Sequence, residues 1–301
     1  VGSEPRLPFG LPGVNKKGKV SNGNYIWISY FYSYLNEQGR AGFVMSSQAS
    51  SAGRDEAKVR RKLVETGDVD IMVAIRSNFF YTRTVPCELW FLNRAKPEAH
   101  RDKVLMIDAR NVYRKVTRKI FDFSPEQEQN LLAIVWLYRG ETGRYLHLVA
   151  GYCQRMLAEG AACFTMKGDD LPAPRLRQAG GETVEPLPDF IAALDTLRGA
   201  VEPFLKTLAK DAPHIVRATG GSPLRELDDA IPLFRADVEA FRQTVSEQQA
   251  DWDSTGTARR APTNGELKKA VDRLATLAET SRDLVKQTDL LYKLACRLIE
   301  T

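Results

Sequence analysis

Apolar positions change their spacing along this chain of 301 residues, and each change predicts a different kind of element. Up to about residue 123 they fall in short runs. Ala41 to Met45 is a continuous apolar stretch and predicts a strand buried on both faces. Val69 to Ile75, Glu88 to Asn93 and Val104 to Asp108 predict further strands. Between the first two, Asp55 to Thr66 has helical spacing, with Val59, Leu63 and Val64 inward and Lys58, Arg60, Arg61 and Lys62 outward. Asn24 is placed to cap a helix running through Leu35, with Gly39 as its stop signal. The segment before it, Val1 to Asn22, is rich in Gly, Pro and Lys and reads as loop. Strand–helix–strand alternation predicts a mostly parallel α/β sheet over residues 1–123.

A helical region follows. Ser124-Pro125-Glu126-Gln127 combines a capping Ser, a Pro at the first helical position and a Gln that completes a capping box. Tyr145 to Glu159 continues as helix, so 124–166 reads as a helical extension and the Gly- and Pro-bearing 167–188 as a linker. From 189 to 301 the period becomes heptad-like. Phe190, Leu194, Leu197, Val201, Phe204 and Leu208 step by fours and threes. Leu224, Leu227, Ile231, Phe234, Val238, Phe241, Val245, Gln248 and Trp252 do the same, and Leu267, Val271, Leu274, Leu284, Leu291 and Leu298 form a broader stripe. Breaks at Pro213, Gly220-Gly221 and Ser254 to Gly265 predict three long helices folding back antiparallel. Such a seam suits either a self-contained bundle or an arm that docks on a helical partner. In the second case Phe234, Val238 and Phe241 are the expected interface.

Charge sharpens the division. Residues 1–123 hold 21 Lys/Arg against 12 Asp/Glu, whereas the remainder holds 22 against 26. A basic surplus on one part is the footprint of a polyanion-facing domain, although solvated surface charge looks the same. No apolar run approaches the length of a membrane span. Four scattered cysteines and three distant histidines argue against a zinc site or disulfide framework, and for reduced thiols in a cytoplasm. There is no signal peptide, and the chain starts at Val1, as a trimmed or truncated product would.

Three strings then stand out in order. They are Asn24-Tyr25-Ile26-Trp27, Gly39-Arg40-Ala41-Gly42-Phe43-Val44-Met45, and the run from Phe79-Phe80-Tyr81-Thr82-Arg83-Thr84-Val85-Pro86 into Cys87-Glu88-Leu89-Trp90-Phe91-Leu92. From about Arg6 to Phe123 the chain resembles the modification subunit of type I restriction–modification systems, which methylates adenine at N6. That resemblance implies the later strands of a Rossmann-like methyltransferase sheet, with S-adenosylmethionine as donor in the complete subunit. It implies DNA, a specificity subunit and a restriction subunit as partners, with no membrane. The glycine loop for the donor and the Asn-Pro-Pro-Phe motif of the family do not occur in this sequence. Leu7-Pro8-Phe9-Gly10 matches instead the segment that follows that motif, and Gly39-x-x-Gly42 precedes a strand rather than following one. No catalytic residue, cofactor or metal site is therefore expected in the chain by itself. The alternative is a non-catalytic helical interaction module on a methyltransferase-like scaffold.

The resemblance places the ring that stacks on a flipped adenine at Phe80, with Tyr81 as second candidate. Adjacent aromatics at a strand end are as often core anchors. Where the family reads Phe-Tyr-Asn-Thr-Gly-Ile-Pro, this chain has Thr84 in place of Gly, a residue that tolerates a left-handed conformation poorly. Ile107-Asp108-Ala109-Arg110 matches a family stretch and opens a basic cluster of Arg110, Arg114, Lys115, Arg118 and Lys119 around Tyr113. Those side chains suit either backbone phosphate contacts or a solvated face. Asp68, Asp70 and Asp108 read as surface or turn acids rather than a catalytic pair.

Overall fold

The computed structural model describes residues 4–20, 23–80, 84–171, 182–211, 221–255 and 261–300. The chain divides into two compact units, Val1–Glu141 and Thr142–Thr301.

The first unit is a mixed α/β layer. In chain order it contains α1 (Asn24–Ser33), β1 (Arg40–Ser46), α2 (Gln48–Ser51), α3 (Arg54–Glu65), β2 (Val69–Ile75), β3 (Cys87–Asn93) and β4 (Leu105–Asp108). A small hairpin of β5 (Arg114–Lys115) and β6 (Phe121–Asp122) precedes α4 (Pro125–Tyr138). The main sheet has the order β1-β3-β2-β4. It is not mostly parallel: β3 runs antiparallel to both β1 and β2, and only β2 and β4 pair in parallel. The cause is connection length. Residues 76–86 are too few for a helical crossover, so β3 must return beside β2. By contrast α3 carries the chain from β1 to β2, which point the same way with β3 inserted between them.

Two cores sandwich this sheet. Tyr25 and Ile28 of α1 and Val59 and Leu63 of α3 pack with Val69, Trp90 and Leu92 on one face. Ile71, Val73, Ile75 and Ile107 face the other way, against Leu131, Val135 and Tyr138 of α4. The α4 start is as the residues predict. Ser124 Oγ accepts from the Gln127 backbone N–H at 3.2 Å, and Gln127 Oε1 accepts from Ser124 N–H at 3.0 Å.

Four local expectations change. The terminal strand β1 alternates in burial and leaves Val44 exposed, so it is a half-buried edge and not a central strand. Gly23, not Asn24, is the N-cap of α1. Val64 is exposed. Arg60 turns inward, where one Nη donates to the Ala49 and Ala52 carbonyls at 3.0 and 2.9 Å.

The second unit is helical: α5 (Thr142–Ala162), α6 (Pro186–Asp211), α7 (Gly221–Ser254) and α8 (Asn264–Glu300), plus a two-residue ribbon of Met166–Lys167 with Thr183–Val184. Arg273 pairs with Asp251, and Gln287 donates to Asp237 at 2.8 Å, so α7 and α8 run in opposite directions. Pairs of Arg235 with Asp195 and Arg198 with Asp228 relate α6 and α7 in the same way. Gly160 of α5 lets Val245 approach so closely that a Cβ there would sit 3.1 Å from it.

Candidate nucleic-acid interface

β2 ends at Ile75, and the chain then turns through Arg76, Ser77 and Asn78. Asn78 is left-handed (φ 66°), a conformation Asn accepts more readily than most residues. That turn sends the two following rings in different directions. Phe79 packs on Phe123, with ring centroids 4.7 Å apart, and so is the core anchor of the pair. Phe80 is 38% exposed. Tyr81 lies outside the described residues. Thr84 is not left-handed, so the strain its side chain would suffer in that conformation does not arise.

The basic cluster forms a structured hairpin beside this turn. Val116 N–H donates to Ile120 O at 3.0 Å, closing a tip that displays Lys115, Arg118 and Lys119 to solvent. The five predicted cations are not equivalent. Arg110 forms a fork with Asp108 at 2.8 and 2.6 Å, and Arg114 forms another with Asp122 at 2.9 and 2.7 Å. The Arg110 guanidinium holds the Asp108 carboxyl down at about 2, and Arg114 lowers that of Asp122. Both arginines are thus neutralised locally. Lys115, Arg118 and Lys119 have no ion-pair partner among the described residues and carry the free positive charge.

Three contacts hold the hairpin base, two of them to the Phe80 turn and one to the start of α4, and none was anticipated from the sequence. Phe121 N–H donates to Asn78 O at 3.1 Å. Gln127, already committed to the cap, uses Nε2 to donate to Tyr113 O at 3.0 Å. Arg76 places its guanidinium 3.8 Å from the Tyr113 ring centroid and 4.0 Å from that of Phe121. Asn78 and Gln127 carried faint signals, a turn-prone residue after a strand and a capping Gln. Arg76 carried none, because its partners lie far along the chain.

Asp68 and Asp70 are buried, contrary to the expectation of surface acids. Tyr32 Oη donates to Asp68 Oδ2 at 2.8 Å, with Arg94 and Arg101 nearby, and Arg139 pairs with Asp70 at 3.3 Å. Lys96 is buried beside them and donates to the carbonyls of Val69 and Lys103. Burial lowers the Lys96 pKa, partly countered by Asp70 and Asp68. These charges satisfy one another at the start of β2, roughly 20 Å along the strand from Arg76. They make a structural knot rather than an acid–base pair.

Phe234, Val238 and Phe241 lie inside the second unit, each nearly inaccessible. Phe234 meets Phe190 edge-on at 6.0 Å, and Phe241 meets Phe164 at 5.9 Å. The interface expected there is corrected: helices of the same chain cover that seam, so it offers nothing to a partner. Phe204 and Val271, expected inward, are exposed. Among the described residues no group of His, Cys, Asp or Glu is placed to hold a metal, and no helix is long and apolar enough to cross a membrane.

Residues 12–157 match the model of the family described as N-6 DNA Methylase. Similar proteins include the Type I restriction enzyme MjaIX methylase subunit of Methanocaldococcus jannaschii, 39% identical over 119 residues. The match spans 38% of this chain and 21% of that protein. The HindI methylase subunit of Haemophilus influenzae is 28% identical over 127 residues, spanning 42% of this chain and 27% of that one. The chain therefore matches only about a quarter of the length of these methylase subunits. Among solved structures, a type I methyltransferase subunit of Streptococcus thermophilus aligns with a TM-score of 0.38 at 21% identity, covering 43% of this chain and 26% of that one.

Proposed function

We propose that this chain is a portion of the modification subunit of a type I restriction–modification enzyme, and that it supplies part of the DNA-facing surface. The complete subunit would transfer methyl from S-adenosylmethionine to adenine N6, acting in the cytoplasm with a specificity subunit and a restriction subunit. On this reading β1 to β4 are later strands of a Rossmann-like sheet, and the unpaired edge of β1 is where earlier strands would add. The observation that carries the proposal is the exposed Phe80, held beside a hairpin whose free cations are Lys115, Arg118 and Lys119. A ring for stacking next to cations for phosphates is the combination that binds an extruded nucleotide.

The cavity that the described residues form beside the sheet does not fit the methyl donor. The cavity between the sheet and α4, about 340 Å³, is lined by aliphatic and aromatic side chains such as Ile71, Leu89, Phe91 and Leu131, with only Glu128 and Arg139 as charged groups. It offers no cradle for a nucleoside. We infer that catalysis depends on parts of the enzyme outside this chain, because the family's glycine loop and Asn-Pro-Pro-Phe motif do not occur in its sequence, and that the isolated chain is inactive. In the intact parent subunit, Phe80→Ala should lower methylation with donor binding unchanged, since base stacking is worth ~1–3 kcal/mol. Loss of donor affinity or unfolding would make Phe80 a scaffold residue.

One observation also favours the second unit as an interaction module. Val271, Val285, Tyr292 and Ile299 are exposed along α8 at spacings of seven or fourteen residues, an outward seam that no described element covers. Val285→Asp with Tyr292→Asp should abolish co-purification with the specificity subunit and leave the helical signal intact. Retained co-purification would exclude this face.

A further inference from the structure

Among the described residues, Arg76 is the one arginine at the hairpin base without a carboxylate. Arg110 and Arg114, close by in the fold, each have an aspartate fork. Arg76 instead lies against the Tyr113 and Phe121 rings, at 3.8 and 4.0 Å. Its Nε is buried and has no hydrogen-bond partner, and no ion pair to it exists among the described residues. The neighbouring Tyr81, Thr82 and Arg83 include no acid that could serve.

The two rings stand at 85° to each other with centroids 5.1 Å apart, so they hold the guanidinium from two sides while supplying no oxygen acceptor to its N–H groups. An arginine oriented in this way, with its fork unfilled, is preorganised for an external bidentate acceptor. Its sequence position is four residues before Phe80, and the Asn78 carbonyl ties the same turn to the hairpin.

We propose that Arg76 is a phosphate clamp: its guanidinium fork engages a phosphodiester of the DNA strand whose base stacks on Phe80. The inference rests on the reading of this surface as DNA-facing and adds a contact that the sequence did not mark. Lys115, Arg118 and Lys119 then supply diffuse charge at the tip, while Arg76 fixes the register of the strand at the turn.

The test uses the full chain and a short fluorescein-labelled DNA duplex, with anisotropy read across a salt series. Three variants are compared: Arg76→Gln, Arg76→Lys, and the triple Lys115→Ala, Arg118→Ala, Lys119→Ala. Trypsin cleavage at Lys115, Arg118 and Lys119 reports hairpin integrity in the Arg76 variants. Arg76→Gln should weaken binding about tenfold and lower the salt slope by about 0.9, the value of one phosphate contact, with unchanged cleavage. A wild-type slope in Arg76→Gln, with a lowered slope in the triple variant, would overturn the clamp and leave the DNA-facing surface standing. Wild-type slopes in both would overturn the surface and the clamp together. If Arg76→Gln speeds cleavage, Arg76→Lys decides. A slope restored by lysine while the hairpin stays loose supports the contact, and a slope that stays low refutes it.

Discussion

Replacing Phe234 by Ala is the sharpest probe of the helical unit, because the structure assigns its ring wholly to the interior. The side chain is 1% exposed and sits edge-on to Phe190. Phe→Ala in a close-packed core costs ~3–5 kcal/mol, from lost transfer energy and the cavity left behind. The edge-to-face partner places this site in the upper half of that range, since such pairs add ~0.5–1.5 kcal/mol beyond area. With a denaturant slope of ~2 kcal/mol/M in urea, the unfolding midpoint should fall by ~2 M. The neighbouring Leu233 is 70% exposed, and Leu233→Ala should move the midpoint by no more than ~0.25 M, corresponding to ~0.5 kcal/mol. Urea titration followed by far-ultraviolet circular dichroism measures both. If Leu233→Ala is the damaging change and Phe234→Ala is silent, α7 is rotated and the buried seam is wrongly assigned.

Two further outcomes follow from charge and burial. Asp122→Asn should release Arg114 from its fork and raise the salt slope of DNA binding by about 0.9, and an unchanged slope would mean that Arg114 does not face the polyanion. Burial pushes the Cys87 and Cys153 thiols up, so alkylation of these two residues in the native chain should be slow near neutral pH and quicken on unfolding. Because the unfolded thiols ionise first, stability should decline as pH rises above ~8.5. Fast labelling of either cysteine in the native chain would contradict its placement.

Signals local in sequence were legible and distant pairings were not. The capping box at Ser124 and Gln127 could be read because four consecutive residues contain its whole chemistry. The heptad of α7 gave its inward positions, since Leu227, Ile231, Phe234, Val238, Phe241 and Val245 repeat within one helix. What covers that seam depends on helices from elsewhere in the chain, so a partner and the chain's own helices looked alike. The sheet shows the same limit. Each strand was visible as an apolar run, but its direction is set by the length of the connection after it, and the insertion of β3 between β1 and β2 reversed the expected pairing. At the candidate site Phe80 and the hairpin cations could be named from residue type alone. Their sorting into free and neutralised charges could not, because Asp122 reaches Arg114 only once the hairpin closes.

The terminal position of β1 has a practical corollary for solution behaviour. A seven-residue strand with one ladder of N–H and C=O groups left unpaired by the described residues is a template for any other extended chain, including an identical one. Within it only Arg40 bears a charge, and Ala41, Gly42, Phe43, Val44 and Met45 follow without interruption. Such a segment lacks the gatekeeping lysines and prolines that keep edge strands apart. Concentrated preparations of this chain are therefore prone to pair edge to edge into soluble dimers and then aggregates, whatever the stability of the cores behind that strand.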